Sequence, residues 1–355
     1  MEKLLETLVR IPSFSREEGP VADALQAHLT ALGLAPRRTG HNLWCFSSCG
    51  GPDTAVPGRK PVLLLNAHLD TVRPTSGWTR DPFACTAEGD RLYGLGTNDD
   101  GASLVCLLEA FLRLKDTVQP YTLVFSATAE EEVSGSGGIE MILPEIEAAL
   151  GPVSLGIMGE PTAMRLAVAE RGLMVLDCTA YGKSGHAARD EGVNALYAAL
   201  PDIEWLRSYR FPLESAFLGP VRMSVTQIAA GTQHNVVPDR CSFVVDVRSN
   251  GLYTNEEILE TVCRHLSSEV KARSTRLGSS HIAEEHPVVA RARSLGLACF
   301  GSPTTSNQAL VRFPTVKIGP GDSARSHTAD EYVTRSELQE GAALYVRLLT
   351  GLQLN

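Results

Sequence analysis

The stretch "KPVLLLNAHLDTV", residues 60–72, contains an apolar run that turns polar at its carboxyl end. Such a run predicts a strand that is buried on both faces. "GASLVCLLEAFLRL" (101–114) has the pattern of a helix, and "YTLVFSAT" (121–128) and "SLGIMGEPT" (154–162) predict two further buried strands. Strands that alternate with helices predict an α/β fold with a mixed, largely parallel sheet covered by helices. Ligands bind beyond the carboxyl ends of the strands in such sheets.

The pattern changes from about Arg171 onwards. "GLMVLDCTAYG" (172–182) and later segments alternate like half-exposed strands, in the order strand, helix, strand, strand, helix, strand. That order predicts a small ferredoxin-like α+β domain. A chain of 355 residues is also too long for one ordinary core. We therefore predict a catalytic domain formed by residues 1–170 and 281–355, with an inserted domain over residues 171–280.

The composition of the chain indicates which classes of partner it binds and which cellular compartment it occupies. The net charge of −9 argues against nucleic acid and anionic membranes, which are bound by clustered Lys and Arg. The first residues lack the apolar core of a secretory signal, and no apolar stretch is long enough to span a bilayer. Eight scattered cysteines indicate reduced thiols in a cytoplasmic protein. Cys45 and Cys49 are spaced like half a zinc site, but no second pair follows.

Polar residues gather where the predicted strands end. His68 and Asp70 follow the first strand at i and i+2, so their side chains point to the same side of the sheet. This spacing lets one residue ligate a metal while the other orients it, because a carboxylate commonly bonds the far nitrogen of a metal-bound imidazole.

Other chemistry-bearing residues follow in four further segments. Asp99 lies in the turn "GLGTNDDGAS", Glu160 in "MGEPT", His327 in "SHTADEY", and three consecutive glutamates, 130–132, in "SATAEEEVSGSGG". Singly, each is also compatible with a helix cap, a surface acid or a loop histidine. Together they supply two histidines and several carboxylates at one predicted sheet edge. Such ligands suit Zn, Mn or Co, and two such ions form a hydrolytic site.

Seven segments carry a resemblance to a known family. In order along the chain they are "LLLNAHLDTV", "LYGLGTNDDGAS", "TAEEEVSGSG", "GEPT", "GKSGHAA", "HNVVPD" and "SHTADEY". Their order and spacing resemble the dinuclear zinc amidohydrolases that include acetylornithine deacetylase, succinyl-diaminopimelate desuccinylase, aminoacylase and glutamate carboxypeptidase. The resemblance implies a zinc-peptidase-like catalytic domain and an inserted dimerisation domain.

The same resemblance implies roles for the polar residues. It implies two divalent metal ions, most often Zn with Co or Mn as alternatives, and these ligands: His68 and Glu160 on one ion, Glu132 and His327 on the other, and Asp99 bridging. Asp70 would orient His68, and Glu131 would be the general base. Glu130 stands where the family has Asp. Burial and adjacent like charges are expected to raise the pKa of Glu131.

The resemblance also implies substrate contacts and a partner. His186 matches the histidine that reaches into the partner subunit's active site, which implies a homodimer. Arg248 and Asn235 match the positions that hold the substrate's α-carboxylate. Taken alone, His186 is also compatible with a loop histidine that caps its own turn, and Arg248 with a surface charge. The remaining predicted contacts with the substrate or the pocket wall are Ser306, Asn307 and Gly319.

The resemblance implies removal of the N-acyl group from an N-acyl amino acid by metal-activated water. N-acetyl-L-ornithine and N-acetyl-L-citrulline, from arginine biosynthesis, are the substrates of the most similar branch. Relatives often have an acid where Asn307 stands, so we expect this difference to favour the neutral citrulline chain. The alternatives are an N-succinyl amino acid desuccinylase and a dipeptidase or aminopeptidase. A binding protein without turnover is disfavoured, because Glu131 is present.

Overall fold

The computed structural model describes residues 1–47, 60–189 and 191–354. Within these ranges the helices are α1 (Glu2–Val9), α2 (Gly19–Ala31), α3 (Ala102–Leu114), α4 (Ile139–Leu150), α5 (Ala195–Ser208), α6 (Asn255–His265), α7 (Pro287–Ser294) and α8 (Arg335–Leu349). None of these helices has the length and apolarity needed to cross a lipid bilayer.

The strands of the same ranges are β1 (Arg37–Thr39), β2 (Asn42–Phe46), β3 (Val62–His68), β4 (Thr86–Glu88), β5 (Arg91–Tyr93), β6 (Thr122–Thr128), β7 (Val153–Met158), β8 (Leu166–Glu170), β9 (Met174–Tyr181), β10 (Arg222–Ala230), β11 (Arg240–Arg248), β12 (Glu269–Ala272), β13 (Ser280–His281), β14 (Cys299–Ser302), β15 (Thr315–Lys317) and β16 (Tyr332–Thr334). The chain forms two compact units: Met1–Val168 with Ile282–Phe300 and Ser306–Asn355, and Ala169–His281 with Gly301–Thr305. The division of catalytic and dimerisation roles between them stays a prediction.

The central sheet of the first unit has the strand order β1-β2-β6-β3-β7-β15-β8. Its three central pairings, β6 with β3, β3 with β7, and β7 with β15, are parallel. The outer pairings of β1 with β2, β2 with β6, and β15 with β8 are antiparallel. The predicted mixed, largely parallel sheet is thus confirmed, and the carboxyl ends of β3, β6 and β7 lie at one edge.

Helices cover both faces of this sheet because its strands are apolar on both sides. On one face Ile142 and Ile146 of α4 pack with Val62 and Leu64 of β3. On the other face α3 contacts β3, β6 and α8. All seven residues of β3 are buried as a result. Because β3 is buried along its whole length, the position of His68 at the edge of the sheet is fixed.

The second unit is built around a four-stranded antiparallel sheet with the order β10-β11-β9-β12. Along the chain its elements follow as β9, α5, β10, β11, α6 and β12, which is the ferredoxin-like arrangement. Alternate residues of β9 and β11 point into a core that is completed by both helices. The predicted α+β fold of this segment is confirmed.

The cysteines that the structure describes are free thiols, and most are buried. Burial raises the pKa of Cys45 to about 12 and that of Cys178 to about 12. Such thiols stay protonated at neutral pH and are poor metal ligands. Cys49, the second residue of the alternative zinc pair, lies outside the described residues.

Candidate metal centre

His68 is the last residue of β3 and is 3% exposed. Its Nδ1 atom lies 2.8 Å from the main-chain oxygen of Asp70, which can only accept, so Nδ1 carries the proton. Its Nε2 atom lies 3.2 Å from Asp99 Oδ1 and 3.9 Å from Glu131 Oε2. The ring therefore directs Nε2, the nitrogen left for a metal ion, toward two carboxylates.

Asp70 contacts both His68 and the glutamate loop. Its main-chain oxygen lies 2.8 Å and its carboxylate 3.6 Å from His68 Nδ1, so its predicted role in orienting the ring stays a prediction. The carboxylate also accepts hydrogen bonds from the main-chain N–H groups of Glu131 (3.0 Å) and Glu132 (3.1 Å). The hydroxyl of Ser15 donates a further bond of 2.7 Å. Asp70 thus positions the glutamate loop against the end of β3.

Asp99 turns its two carboxylate oxygens toward different histidines. Oδ1 lies 3.2 Å from His68 Nε2, and Oδ2 lies 3.8 Å from His327 Nε2. His327 is also 3.0 Å from Glu132 Oε1. Two sets of donor atoms lie within 4.8 Å of one another: those of His68, Asp99 and Glu132, and those of His68, Glu131 and Glu160. The structure therefore gathers the five predicted ligands and the predicted base in one cluster, with Asp99 between the histidines.

Negative charge dominates this cluster. Burial, reinforced by the charge of Glu132, raises the pKa of Glu131 to about 8, in the predicted direction. Burial also raises the pKa of Glu160 well above its ordinary value, against the opposing charge of Lys317. The hydrogen bond to Glu132 raises the pKa of His327 to about 9. Buried carboxylates in this number are stabilised by cations, and the oxygen and imidazole donors fit Zn, Mn or Co.

Glu130, the first residue of the triplet, forms hydrogen bonds that stabilise the glutamate loop. Its φ of 56° is in the left-handed region, which is uncommon for a residue other than glycine. Its main-chain N–H donates to Glu18 Oε1 at 3.1 Å, and its own Oε2 accepts from the N–H of Gly137 at 3.3 Å. An ideal Cβ on Gly137 would lie 2.3 Å from Glu130 Oε1. The longer side chain at this position is thus accommodated by a glycine.

We expect Gly137→Ala to destabilise the protein by about 1–3 kcal/mol, because the added methyl group overlaps the Glu130 carboxylate. Shortening the acid with Glu130→Asp should remove much of that overlap and restore part of the loss. Equilibrium chemical denaturation of both single variants and the double variant measures the effect. Strictly additive free energies of unfolding would contradict the predicted contact.

The predicted substrate contacts of the first unit, Ser306, Asn307 and Gly319, lie against the sheet or the Glu160 loop. Asn307 is 4% exposed, and its amide nitrogen donates to Asn66 Oδ1 (3.1 Å) and Thr128 Oγ1 (3.2 Å). Ser306 is 5% exposed and caps the turn that begins at Asn307. An ideal Cβ on Gly319 would lie 2.5 Å from the main-chain oxygen of Glu160. These contacts connect the three residues to the sheet and to the Glu160 loop.

The buried contacts of Asn307 lead to an expectation that differs from the one drawn from sequence. Asn307→Asp should lower the free energy of unfolding by about 2 kcal/mol or more, because an acceptor replaces the donor that faces Asn66 Oδ1. Chemical denaturation measures this loss. A fully stable variant with a changed preference between acetylornithine and acetylcitrulline would instead support contact with the substrate's side chain.

Three predicted residues lie in the second unit. The exposed His186 accepts a hydrogen bond at Nδ1 from the N–H of Ala188 (3.1 Å), so it does cap its own turn. The main-chain oxygen of Asn235 accepts from the N–H of Ala187 at 3.0 Å, which places Asn235 beside this turn. Arg248 ends β11 and forms a two-point contact with Asp246, at 2.8 and 3.1 Å.

Glu331 and Glu18 support the site, although the sequence singles out neither residue for this role. Glu331 accepts hydrogen bonds from the main chain at Gly96, Asn98 and Asp99, and Glu18 holds the N–H of Glu130. Each contact joins positions that are far apart in the chain. The motif "SHTADEY" contains Glu331, but only the folded chain shows what it touches.

The chain matches known sequences along most of its length. Residues 64–351 match the sequence profile of Peptidase family M20/M25/M40. The acetylornithine deacetylase of Myxococcus xanthus is 29% identical over 361 residues, covering 94% of this chain and 92% of the relative. The succinyl-diaminopimelate desuccinylase of Dinoroseobacter shibae is 26% identical over 375 residues, covering 98% of this chain and 97% of the relative.

Solved structures share the fold. A tripeptidase from Staphylococcus aureus superposes with a TM-score of 0.75 at 22% identity, covering 98% of this chain and 96% of that one. A protein from Bacillus subtilis described as a dinuclear metal binding peptidase from the M20 family has a TM-score of 0.73 at 16% identity, with coverage of 98% and 96%. The profile match spans most of the chain, and the resemblance seen in the sequence is confirmed: the chain belongs to Peptidase family M20/M25/M40, a family of hydrolases.

Proposed function

We propose that this M20 hydrolase is a metal-dependent amidohydrolase that removes the acyl group from an N-acyl amino acid, with N-acetyl-L-ornithine or N-acetyl-L-citrulline as substrate. One observation carries the proposal: Asp99 faces His68 and His327 with separate oxygens, while Glu131 lies 3.9 Å from His68. The similar proteins named acetylornithine deacetylase and succinyl-diaminopimelate desuccinylase support an N-acyl amino acid as the substrate class.

The ligand set would divide between two ions. His68 and Glu160 would hold one, Glu132 and His327 the other, and Asp99 both. When bound, two divalent ions supply the Lewis acidity that activates water and polarises the amide carbonyl. Zn is the metal that we propose. The number of buried carboxylates in the cluster supports this occupancy, since each added cation lowers the cost of burying them.

Glu131 would move the proton. Burial raises its pKa to about 8, so the carboxyl group can both accept and release a proton near neutral pH. It would take a proton from the attacking water and return it to the departing amine nitrogen. The two hydrogen bonds that Asp70 accepts from the loop N–H groups keep Glu131 in position.

His186 would stabilise the oxyanion in the active site of a partner subunit. Because its Nδ1 accepts from Ala188, its proton lies on Nε2, which leaves a hydrogen-bond donor directed away from its own turn. The exposed outer side of β10, at the edge of its sheet with Ile228 51% exposed, supports pairing with a second copy. Sedimentation equilibrium at micromolar concentration tests the predicted homodimer, and the mass of a monomer would contradict it.

Arg248 and Asn235 would bind the substrate's α-carboxylate. Arg248 uses two of its five N–H groups on Asp246, so donors remain for a second carboxylate. This feature favours substrates with a free carboxylate and a blocked amine over aminopeptidase substrates, which must present a free amine.

The test is primary-amine release from N-acetyl-L-citrulline and N-acetyl-L-ornithine by the zinc-loaded protein. The same protein stripped with a chelator is the blank, and an N-succinyl amino acid and a free-amine dipeptide are the comparison substrates. Release from the acetylated pair that is lost on stripping supports the proposal, and the rate ratio identifies the substrate. Release from the succinylated compound or the dipeptide alone would transfer the assignment to a desuccinylase or a peptidase.

A further inference from the structure

Glu331 is a buried carboxylate that holds the loop carrying Asp99. It is 2% exposed. Its Oε1 accepts hydrogen bonds from the main-chain N–H groups of Asn98 (2.8 Å) and Asp99 (3.0 Å), and its Oε2 accepts from that of Gly96 (3.1 Å). Three amides of one turn thus converge on one side chain. Only a carboxylate offers two splayed oxygens without a competing donor.

Asn98 ties the same turn to the loop that carries His327. Its Oδ1 accepts from the main-chain N–H of Asp322 at 2.9 Å, and its Nδ2 donates to the main-chain oxygen of Asp322 at 3.1 Å. Nδ2 also lies 3.3 Å from Ser326 Oγ, one residue before His327. Asn98 therefore bonds main-chain groups of the second loop as a neighbouring strand would.

The loop that carries His327 is partly exposed and has an uncommon backbone conformation, so contacts with neighbouring groups must stabilise it. The side chain of His327 is 52% exposed. His327 and Asp330 have φ values of 59° and 55°, in the left-handed region that side chains other than glycine rarely adopt. A conformation of this kind persists when surrounding contacts impose it. Glu331 and Asn98 supply contacts from the end and from the start of the loop.

We propose that Glu331 and Asn98 form an inter-loop clamp, and that this clamp sets the spacing of Asp99 and His327 and thereby the affinity of the metal site they share. The inference rests on the proposed metal centre. Both residues are positioning residues, since they act through the loops that carry Asp99 and His327 and need not touch metal or substrate. The clamp determines how tightly the ion between Glu132 and His327 is held.

The test compares Glu331→Gln with the matched variant Asp202→Asn. Asp202 is also a buried carboxylate, 4% exposed, that accepts from two main-chain N–H groups, at Ser267 (3.1 Å) and Ser268 (2.8 Å), but it lies in the second unit. Zn²⁺ affinity is measured by competition with a chromophoric chelator, the absorption spectrum is recorded with Co²⁺, and the melting temperature is recorded for the metal-free proteins.

We expect Glu331→Gln to weaken the more weakly held ion by about 10- to 100-fold and to change the Co²⁺ spectrum. Asp202→Asn should keep both affinities within about twofold of the original protein, although it also loses thermal stability. Unchanged affinities and an unchanged spectrum in Glu331→Gln would overturn the proposal. If Glu331→Gln does not fold, Asn98→Ser gives the same readout, because it removes the amide contacts with Asp322 and keeps the main-chain N–H bound by Glu331.

These measurements use no substrate, so their failure differs from a failure of the proposed function. If the protein binds two ions, binds one of them about 10- to 100-fold more weakly in Glu331→Gln and hydrolyses no N-acyl amino acid, the clamp is supported and the proposed activity is contradicted. If the protein hydrolyses such substrates and Glu331→Gln leaves metal binding unchanged, the proposed activity is supported and the clamp is contradicted.

Discussion

Glu131→Gln should reduce turnover of an N-acyl amino acid by about 10³-fold or more, with both metal ions retained. The amide has nearly the shape of the carboxyl group, but it cannot accept a proton from water or deliver one to the leaving amine. Glu131 lies outside the predicted ligand set, and its Oε2 lies 3.9 Å from His68 Nε2, so the loss should lie in kcat more than in metal content. Steady-state kinetics with metal analysis on the same sample measures both.

The matched control is Glu130→Gln, which changes the neighbouring acid of the same triplet. Gln keeps an oxygen that can accept from the N–H of Gly137, and Glu130 lies outside the predicted ligand set. Its turnover should stay within about tenfold of the original value. Comparable losses in both variants would assign the effect to the loop and not to proton transfer, and an active Glu131→Gln would remove Glu131 as the base.

Asp99→Asn should lower the number of tightly bound ions from two to at most one and abolish measurable turnover. A neutral amide offers only one oxygen, whereas Asp99 turns two toward His68 and His327. Its NH₂ group would face one histidine as a donor, where a ligand needs a lone pair. The zinc content after gel filtration and the Co²⁺ spectrum report the occupancy.

The control for Asp99→Asn is the original protein, stripped of metal and reloaded, which should recover two ions and full activity. Retention of two ions by the variant would show that Asp99 does not bridge. Loss of activity with full occupancy would restrict its role to the chemistry of the reaction.

The sequence alone determined the fold class and the types of donor atom. The apolar runs of β3 and β6 leave no polar face, so each strand requires helices on both sides, and parallel strands with such cover bring their carboxyl ends together. That rule places His68 and Glu160 at the sheet edge, since each comes at or just after the end of a strand. The ligand roles of these two residues, like the roles of the others, came from the resemblance to a family.

Only the tertiary structure decided which atoms meet. Asp70 contacts His68 Nδ1 with its main-chain oxygen at 2.8 Å and with its carboxylate at 3.6 Å, and the same carboxylate accepts a hydrogen bond from the glutamate loop. Asn307 lies inward, on Asn66, and Glu331 bonds the N–H of Asp99 from 232 positions away. Local patterns specify burial and periodicity, whereas contacts at this separation depend on how loops pack after the sheet has formed, which no local pattern records.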